Sequence, residues 1–337
     1  MITVVFEIAF ALVPALVYLG VLVVMDSYKL VKLRNVLAAI LAGCVAVVIC
    51  RYVNLSLLEA TAMDVRLFKR YVAPLVEEVV KVAPIVVLVR SDRIGFAVDA
   101  AILGFAVGTG FGMLENVYYM ADLPDAGLVT WVLRGCGTAL MHGSTTGVFA
   151  IVSQSLHERH EGARWYRFLP GFALAYVMHS GYNHFLVSPV LAALSLVLGV
   201  PLITAAVFRN SEQALERWLG LGFDTDAEML ESFHSGTFAE TRVGTYLVAL
   251  RERFPPEVVA DMFCLLQLQV ELSIHAKGLL MMRRQGYDVP ASPDVPEKLA
   301  EIDYLEKSIG RTGRLAIKPF LRRGRRDVWE GHLLARG

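Results

Sequence analysis

Seven runs of mostly apolar residues fill the first 208 positions of the chain, at about 3–25, 35–54, 71–90, 94–120, 134–156, 168–187 and 189–208. Each is close to the ~20 residues an α-helix needs to cross the hydrocarbon of a bilayer. In lipid every backbone N–H and C=O must find its partner inside the protein, so runs of this length have to be helices. Residues 209–337 read instead as an ordinary soluble sequence. Over the whole chain 55% of residues are hydrophobic and 19% are charged, against about a quarter charged in soluble domains. The expected architecture is all-α: a polytopic membrane helix bundle of about seven spans over 1–208, and a C-terminal helical soluble domain over 209–337.

The short loops set an expected orientation, because Lys and Arg favour the cytoplasmic side. Loops 26–34, 90–93 and 157–167 hold eight such residues, whereas loop 121–127 has two aspartates and no cation. This places the N-terminus outside and the C-terminal domain in the cytoplasm. Segment 55–70, with Arg66, Lys69 and Arg70, is the exception and is expected as an amphipathic helix on the interface. The first run lacks a basic leader and a small-residue cleavage site, so it is expected as a true span. Formal net charge is zero, which argues against nucleic acid as a partner. Cys44, Cys50, Cys136 and Cys264 form no CxxC pair, so neither a zinc ribbon nor a disulfide framework is expected.

The soluble segment predicts helices at 211–219, 225–235 (Asp224 as N-cap), 239–254 and 256–285, closing at Gly286, then a linker at 288–296 and a helix from about 297. The basic stretch PFLRRGRRDVW at 319–329 fits a contact with anionic lipid or a solvated tail equally well.

Ionisable residues at membrane depth cost several kcal/mol each and persist mainly where they face one another or a watery cavity. Here they form a set: Glu77, Glu78 and Lys81 in the third span, Glu115 and Asn116 in the fourth, His142 in the fifth, His179 and Asn183 in the sixth. At the ~1.5 Å rise of a helix, Glu77 and Glu78 lie roughly 9–11 Å below Tyr71, and Glu115 roughly 8 Å below Met120. With Arg134 at the outer interface, His142 lies roughly 12 Å deep, as does His179 below Val187. Four antiparallel helices therefore bring these groups to one level. Lys81 is three residues from Glu78 and four from Glu77, on one helical face beneath both. Taken singly, each has a plainer explanation: Glu77 with Lys81 as a structural ion pair, the histidines and Asn183 as hydrogen-bonding glue, Glu115 with Asn116 at a helix end. The common depth is what those explanations leave out. Asp99, at the other end of its span, is excluded, and HERH at 157–160 is a loop and not H-E-x-x-H.

PLVEEVVK (74–81), FGMLENVYY (111–119), LMHGSTTG (140–147) and MHSGYNH (178–184), on four successive spans, resemble the PrsW-like intramembrane proteases. These are related to the glutamate-dependent group of CAAX prenyl endopeptidases and CPBP/Abi proteins. The resemblance covers roughly residues 70–187 and implies a membrane-embedded protease domain in a bacterial cytoplasmic membrane. It implies a peptide hydrolase acting on a membrane-anchored protein, such as an anti-sigma factor or another single-span or lipid-anchored substrate. The residues permit two mechanisms. In the first, Glu77 or Glu78 is the general base, and His142 or His179 with Asn183 stabilises the oxyanion. In the second, His142, His179 and one of Glu78 or Glu115 hold Zn²⁺, and another glutamate is the base. The metal-free form is the slightly favoured expectation. Lys81 and Asn116 are expected as supporting residues. A proton- or ion-coupled transporter would also gather such groups at one depth, and a non-catalytic scaffold signalling through 209–337 is the third alternative.

Overall fold

The computed structural model describes residues 2–159, 164–287, 289–290, 292–321 and 325–335. Among the described residues it is helical throughout, with no strand. The helices of the first part are α1 (Ile2–Met25), α2 (Leu33–Thr61), α3 (Ala73–Arg90), α4 (Ala97–Asp122), α5 (Leu140–Glu158), α6 (Leu169–Asn183) and α7 (Pro189–Ser235). Those of the second are α8 (Arg242–Leu250), α9 (Pro256–Arg284), α10 (Val295–Ser308), α11 (Gly310–Ile317) and α12 (Arg325–Ala335). The chain divides into two compact units, Met1–Glu212 and Gln213–Gly337.

In the first unit α4 is central, packed against α1, α2, α3 and α5. Its sequence explains the position. Gly104, Gly108 and Gly112 recur every fourth residue and so share a face, which lies on α5. A Cβ on Gly108 would sit 2.1 Å from the His142 carbonyl oxygen, and one on Gly112 would sit 2.8 Å from Ala139 Cα. On another face, a Cβ on Gly110 would lie 2.0 Å from the Ile40 carbonyl of α2. Bare glycine lets the backbones approach, and dispersion between close helices replaces a hydrophobic drive that lipid does not supply. At the far end of α4 the Asp99 carboxylate accepts the N–H groups of Gly95 (2.8 Å) and Phe96 (2.9 Å), which fastens the helix start.

Among the described residues, five helices are long and apolar enough to cross a membrane: Thr3–Met25, Leu33–Thr61, Ala97–Asp122, Pro189–Ser235 and Pro256–Arg284. α3, α5 and α6 are not among them. α6 has only 15 residues, and α3 carries Glu77, Glu78, Lys81 and Arg90 within 18. The three helices left out carry Glu77, Glu78, Lys81, His142 and His179, whereas Glu115 and Asn116 lie on α4, which is among the five. Pro256–Arg284 meets the same length and apolarity, yet its Met262, Leu265 and Leu266 are buried in the second unit's own core with Phe238, Leu247 and Ile317.

Segment 55–70 is not a single separate helix. Residues 55–61 prolong α2, which turns at Ala62 in a left-handed conformation (φ 46°). The Asp64 carboxylate then caps the next helical turn through the N–H groups of Arg66 and Leu67. LSLLEAT holds no breaker, so the helix of the second span simply continues. Asp224 likewise starts no helix, because α7 runs through it unbroken. There Gly222 lets Lys277 approach, a Cβ at that position lying 3.0 Å from Lys277 Nζ. Residues 322–324 of the basic stretch and His160 of HERH lie outside the described residues. His157 of that sequence pairs with Asp92 at 3.1 Å.

Candidate active site

Two π-helical turns flank the site. One, Phe68–Val72, leads into α3, and the other, Arg134–Ala139, leads into α5. Such turns insert an extra residue into a helix and are frequent at functional sites. Five residues beyond the first come Glu77 and Glu78, and three beyond the second comes His142.

Glu78 is fully buried, and its Oε1 accepts from Lys81 Nζ (2.6 Å), His179 Nδ1 (2.7 Å) and Thr145 Oγ1 (3.3 Å). Lys81, also fully buried, turns its second donor to His142 Nδ1 at 3.0 Å and lies 4.9 Å over the Phe111 ring. An ammonium donating to Nδ1 puts the proton of a neutral His142 on Nε2, which faces Glu115 Oε2 at 3.3 Å. Glu115 is held from behind by Arg134 NH2 at 3.0 Å. Arg134 also donates through Nε to Asn116 Oδ1 (2.9 Å) and stacks 3.8 Å over the Tyr119 ring. Asn116 in turn donates to the Ala11 carbonyl at 2.8 Å, tying the assembly to α1. At the other end His179 Nε2 faces Glu77 Oε2 at 3.6 Å, and Glu77 Oε1 accepts from Asn54 at 3.3 Å. One connected line thus runs Arg134, Glu115, His142, Lys81, Glu78, His179, Glu77. The two imidazoles meet edge to face at 4.8 Å.

This line forms the floor of a cavity of about 530 Å³ at the end of the bundle where α2, α4 and α6 finish and α3 and α5 begin. Glu77, Glu115, Arg134, His142 and His179 line it, whereas Glu78 and Lys81 lie behind. The two adjacent glutamates therefore differ sharply. Glu77 faces the cavity with its Oε2 3.6 Å from His179 Nε2, so that one small molecule on the cavity side can contact both. Glu78 faces inward and fixes the His179 ring.

The structure brings together Glu77, Glu78, Lys81, Glu115, Asn116, His142 and His179. Asn183 lines the cavity rim, but its amide donates to the Lys69 carbonyl at 3.0 Å and is exposed. Arg134, expected only as the marker of a span end, also holds Glu115. Sequence reading missed it as a site residue, although the apolar LVTWVL before it gave a signal. Thr145, three residues after His142, was equally readable on the same helical face.

Glu77, His142 and His179 each offer a ligand atom within 4.8 Å of the others. The carboxylate in this group is Glu77, not the Glu78 or Glu115 expected from sequence, because those two are already engaged by Lys81 and Arg134. Two imidazoles and one carboxylate are the donor set of an open catalytic zinc site. Glu78 on His179 Nδ1 is the outer carboxylate that metal-binding histidines commonly have. Glu78 Oε2, buried without a hydrogen-bond partner among the described residues, leaves negative charge near that group. The residues fit a metal. His142 would join through Nε2 only with its proton on Nδ1, against a neutral Lys81 amine.

A bundle of apolar helices that gathers glutamates and histidines around a cavity, within membrane-spanning sequence, has the groups that an intramembrane hydrolase needs. The chain belongs to the PrsW family: residues 29–208 match the family described as PrsW family intramembrane metalloprotease. It is accordingly a peptide hydrolase and an integral membrane protein. No curated protein and no solved structure matches the chain. The family match ends at residue 208 and leaves the second unit outside it.

Proposed function

We propose that the protein cleaves a single-span or lipid-anchored membrane protein, of the anti-sigma-factor kind, near the outer boundary of a bacterial cytoplasmic membrane. In this reading the N-terminus is outside and the second unit is cytoplasmic. The observation that carries the mechanism is the gap between Glu77 Oε2 and His179 Nε2, 3.6 Å across, with Glu78 holding the far side of the ring.

A water that contacts both atoms from the cavity side loses its proton to Glu77, the glutamate that faces the cavity. His179 keeps its Nδ1–H on Glu78, so its Nε2 lone pair stays aimed at the same place. Glu78 orients the imidazole as the carboxylate of a catalytic triad does, while Glu77 acts as the base. Peptide hydrolysis also develops an oxyanion, and buried donors aimed at it stabilise the transition state. His142 Nε2–H and the Arg134 guanidinium, both beside Glu115 in the cavity lining, supply positive density for the oxyanion. The proton taken by Glu77 then passes to the leaving amine. A metal held by Glu77, His142 and His179 would polarise the scissile carbonyl and ease deprotonation of water. Lys81 neutralises Glu78 and keeps a carboxylate tolerable at this depth.

The test is cleavage of a membrane-anchored reporter co-expressed with the wild type, Glu77→Gln or His179→Ala. Both variants are expected to lose cleavage while accumulating in the membrane to wild-type level. Intact cleavage in both would overturn the assignment. Metal content of the purified protein, before and after chelation, with the same two variants as references, decides between the two forms of the mechanism.

A further inference from the structure

The first π turn and α6 meet in an arrangement that the mechanism above does not use. Ala73 N–H bonds to the Phe68 carbonyl, the five-residue step of a π turn. The next three carbonyls, of Lys69, Arg70 and Tyr71, each accept a side-chain bond from α6. Asn183 Nδ2 reaches Lys69 O at 3.0 Å, Ser180 Oγ reaches Arg70 O at 2.7 Å, and Tyr176 OH reaches Tyr71 O at 3.3 Å. Residues 176, 180 and 183 recur at the spacing of one helical face. His179 sits beside that face, with its ring on Glu78.

We propose that Ser180, with Tyr176 and Asn183, is a positioning element for the glutamate pair: these side chains hold the π turn and thereby set the rotation of α3. The inference rests on the site reading given above. An inserted residue turns everything after it by about 100° relative to an uninterrupted α-helix. Glu77 faces the cavity and Glu78 the interior only in the register that the π turn imposes. The turn gives up regular backbone bonds, and near hydrocarbon such groups need protein partners. α6 supplies three in a row. Ser180 is the central one and is buried, whereas Tyr176 and Asn183 are half-buried and their bonds lie nearer the surface. The same helix therefore carries His179 and aligns the carboxylates that His179 works with.

The experiment uses the full chain in vesicles with a single-span reporter polypeptide that the wild type cleaves. Ser180→Ala, Ser180→Thr, Asn183→Ala and Glu78→Gln are compared for kcat, KM and thermal unfolding. Ser180→Ala is expected to lower kcat roughly 10-fold or more with KM and melting near wild type, as a small misplacement of reacting groups does. Ser180→Thr, which keeps the hydroxyl, restores kcat. Asn183→Ala is expected to cost only a few-fold, whereas loss of an oxyanion donor would cost about 10²–10³. Wild-type kcat in Ser180→Ala, with Glu78→Gln inactive, overturns the positioning role and leaves the site reading standing. A fall in kcat that merely tracks lost melting and is not restored by threonine also overturns it. An active Glu78→Gln overturns the site reading and this inference with it.

Discussion

Each unit of the molecule buries a lysine, and the two differ in what lies beyond the ammonium group. In the second unit Lys277 is 2% exposed and bonds Asp226 (2.5 Å) and Ser273 (2.8 Å), with Glu330 at 3.8 Å and the Trp218 ring at 5.2 Å. Its neighbours are packed helices α7, α9 and α12. In the first unit Lys81 bonds Glu78 and His142, and both lead on to groups that face a cavity. None of the residues around Lys277 lines that cavity. A buried charge by itself thus marks only a place where a partner is required. A buried charge whose partners end on open space marks chemistry.

The largest contrast comes from neutralising the carboxylate next to each lysine. Glu78→Gln removes the acceptor that orients His179, and cleavage of a membrane reporter is expected to fall by about 10²–10⁴, the usual weight of a positioned acid or base. Folding should survive, because glutamine keeps the shape and one acceptor. Asp226→Ala leaves Lys277 charged and buried, an outcome that costs about 3–5 kcal/mol. It should lower the melting temperature of the full chain while cleavage per folded molecule stays unchanged. Reporter cleavage and thermal unfolding, measured on both variants, would break the comparison if the two effects exchanged places.

The glycines under the two lysine networks sharpen it further. Gly108 of α4 faces the His142 carbonyl, and an added Cβ would be 2.1 Å from that oxygen. A backbone group cannot step aside, so Gly108→Ala must push α5 outward and carry His142 with it. A displacement near 1 Å at a reacting group can cost about 10²-fold in rate. Gly222 also faces its network closely, but the contact is the flexible end of Lys277, at 3.0 Å. Gly222→Ala is therefore expected to be mild, since alanine recovers up to about 1 kcal/mol of helix propensity. Cleavage rates and melting of the two alanine variants decide this.

The same contrast explains what the sequence disclosed. The level of Glu77, Glu78, Glu115, His142 and His179 followed from helical rise and from where each span begins, because depth is a one-dimensional quantity that a regular helix preserves. Rotation about the helix axis was not readable, because two π turns intervene and nothing in FKRYV or RGCGTA announces an extra residue. Which of Glu77 and Glu78 faces the cavity depends on that rotation. Arg134 was not read as a site residue for a related reason: a cation near a span end normally reaches for water, and here Glu115, Asn116 and Tyr119 engage it. In the second unit, Gly220, Gly222 and Asp224 look like a break in a helix. The buried Asp226–Lys277 pair keeps α7 continuous there, and a tertiary contact of that kind leaves no local trace.

The smallest expected effect concerns a third lysine, which is not deeply buried. Lys298 Nζ bonds Glu271 Oε2 and Asp294 Oδ2, each at 3.0 Å, at the start of α10. A Ser292 hydrogen bond, and after it the Lys298 ammonium, bring the Asp294 carboxyl down to about 2. Its ordinary value is 3.8. A depressed carboxylate contributes stability that is fully present above the unfolded value and is lost as pH falls through the folded one. The window is therefore pH 4 down to 2. The same contacts, Asp294 first and Glu271 second, raise Lys298, so its contribution is present below its ordinary value and is lost only at strongly alkaline pH. Neither group faces a cavity, and exposure to solvent screens both. Protection of the first turn of α10 against amide exchange, corrected for intrinsic rates, should decline slightly between pH 4 and 2 in the wild type. In Asp294→Asn that decline should be absent, and cleavage at neutral pH should be unaltered. A change in cleavage would mean that a solvated pair in the second unit reaches the membrane site, which would remove the distinction between the two networks.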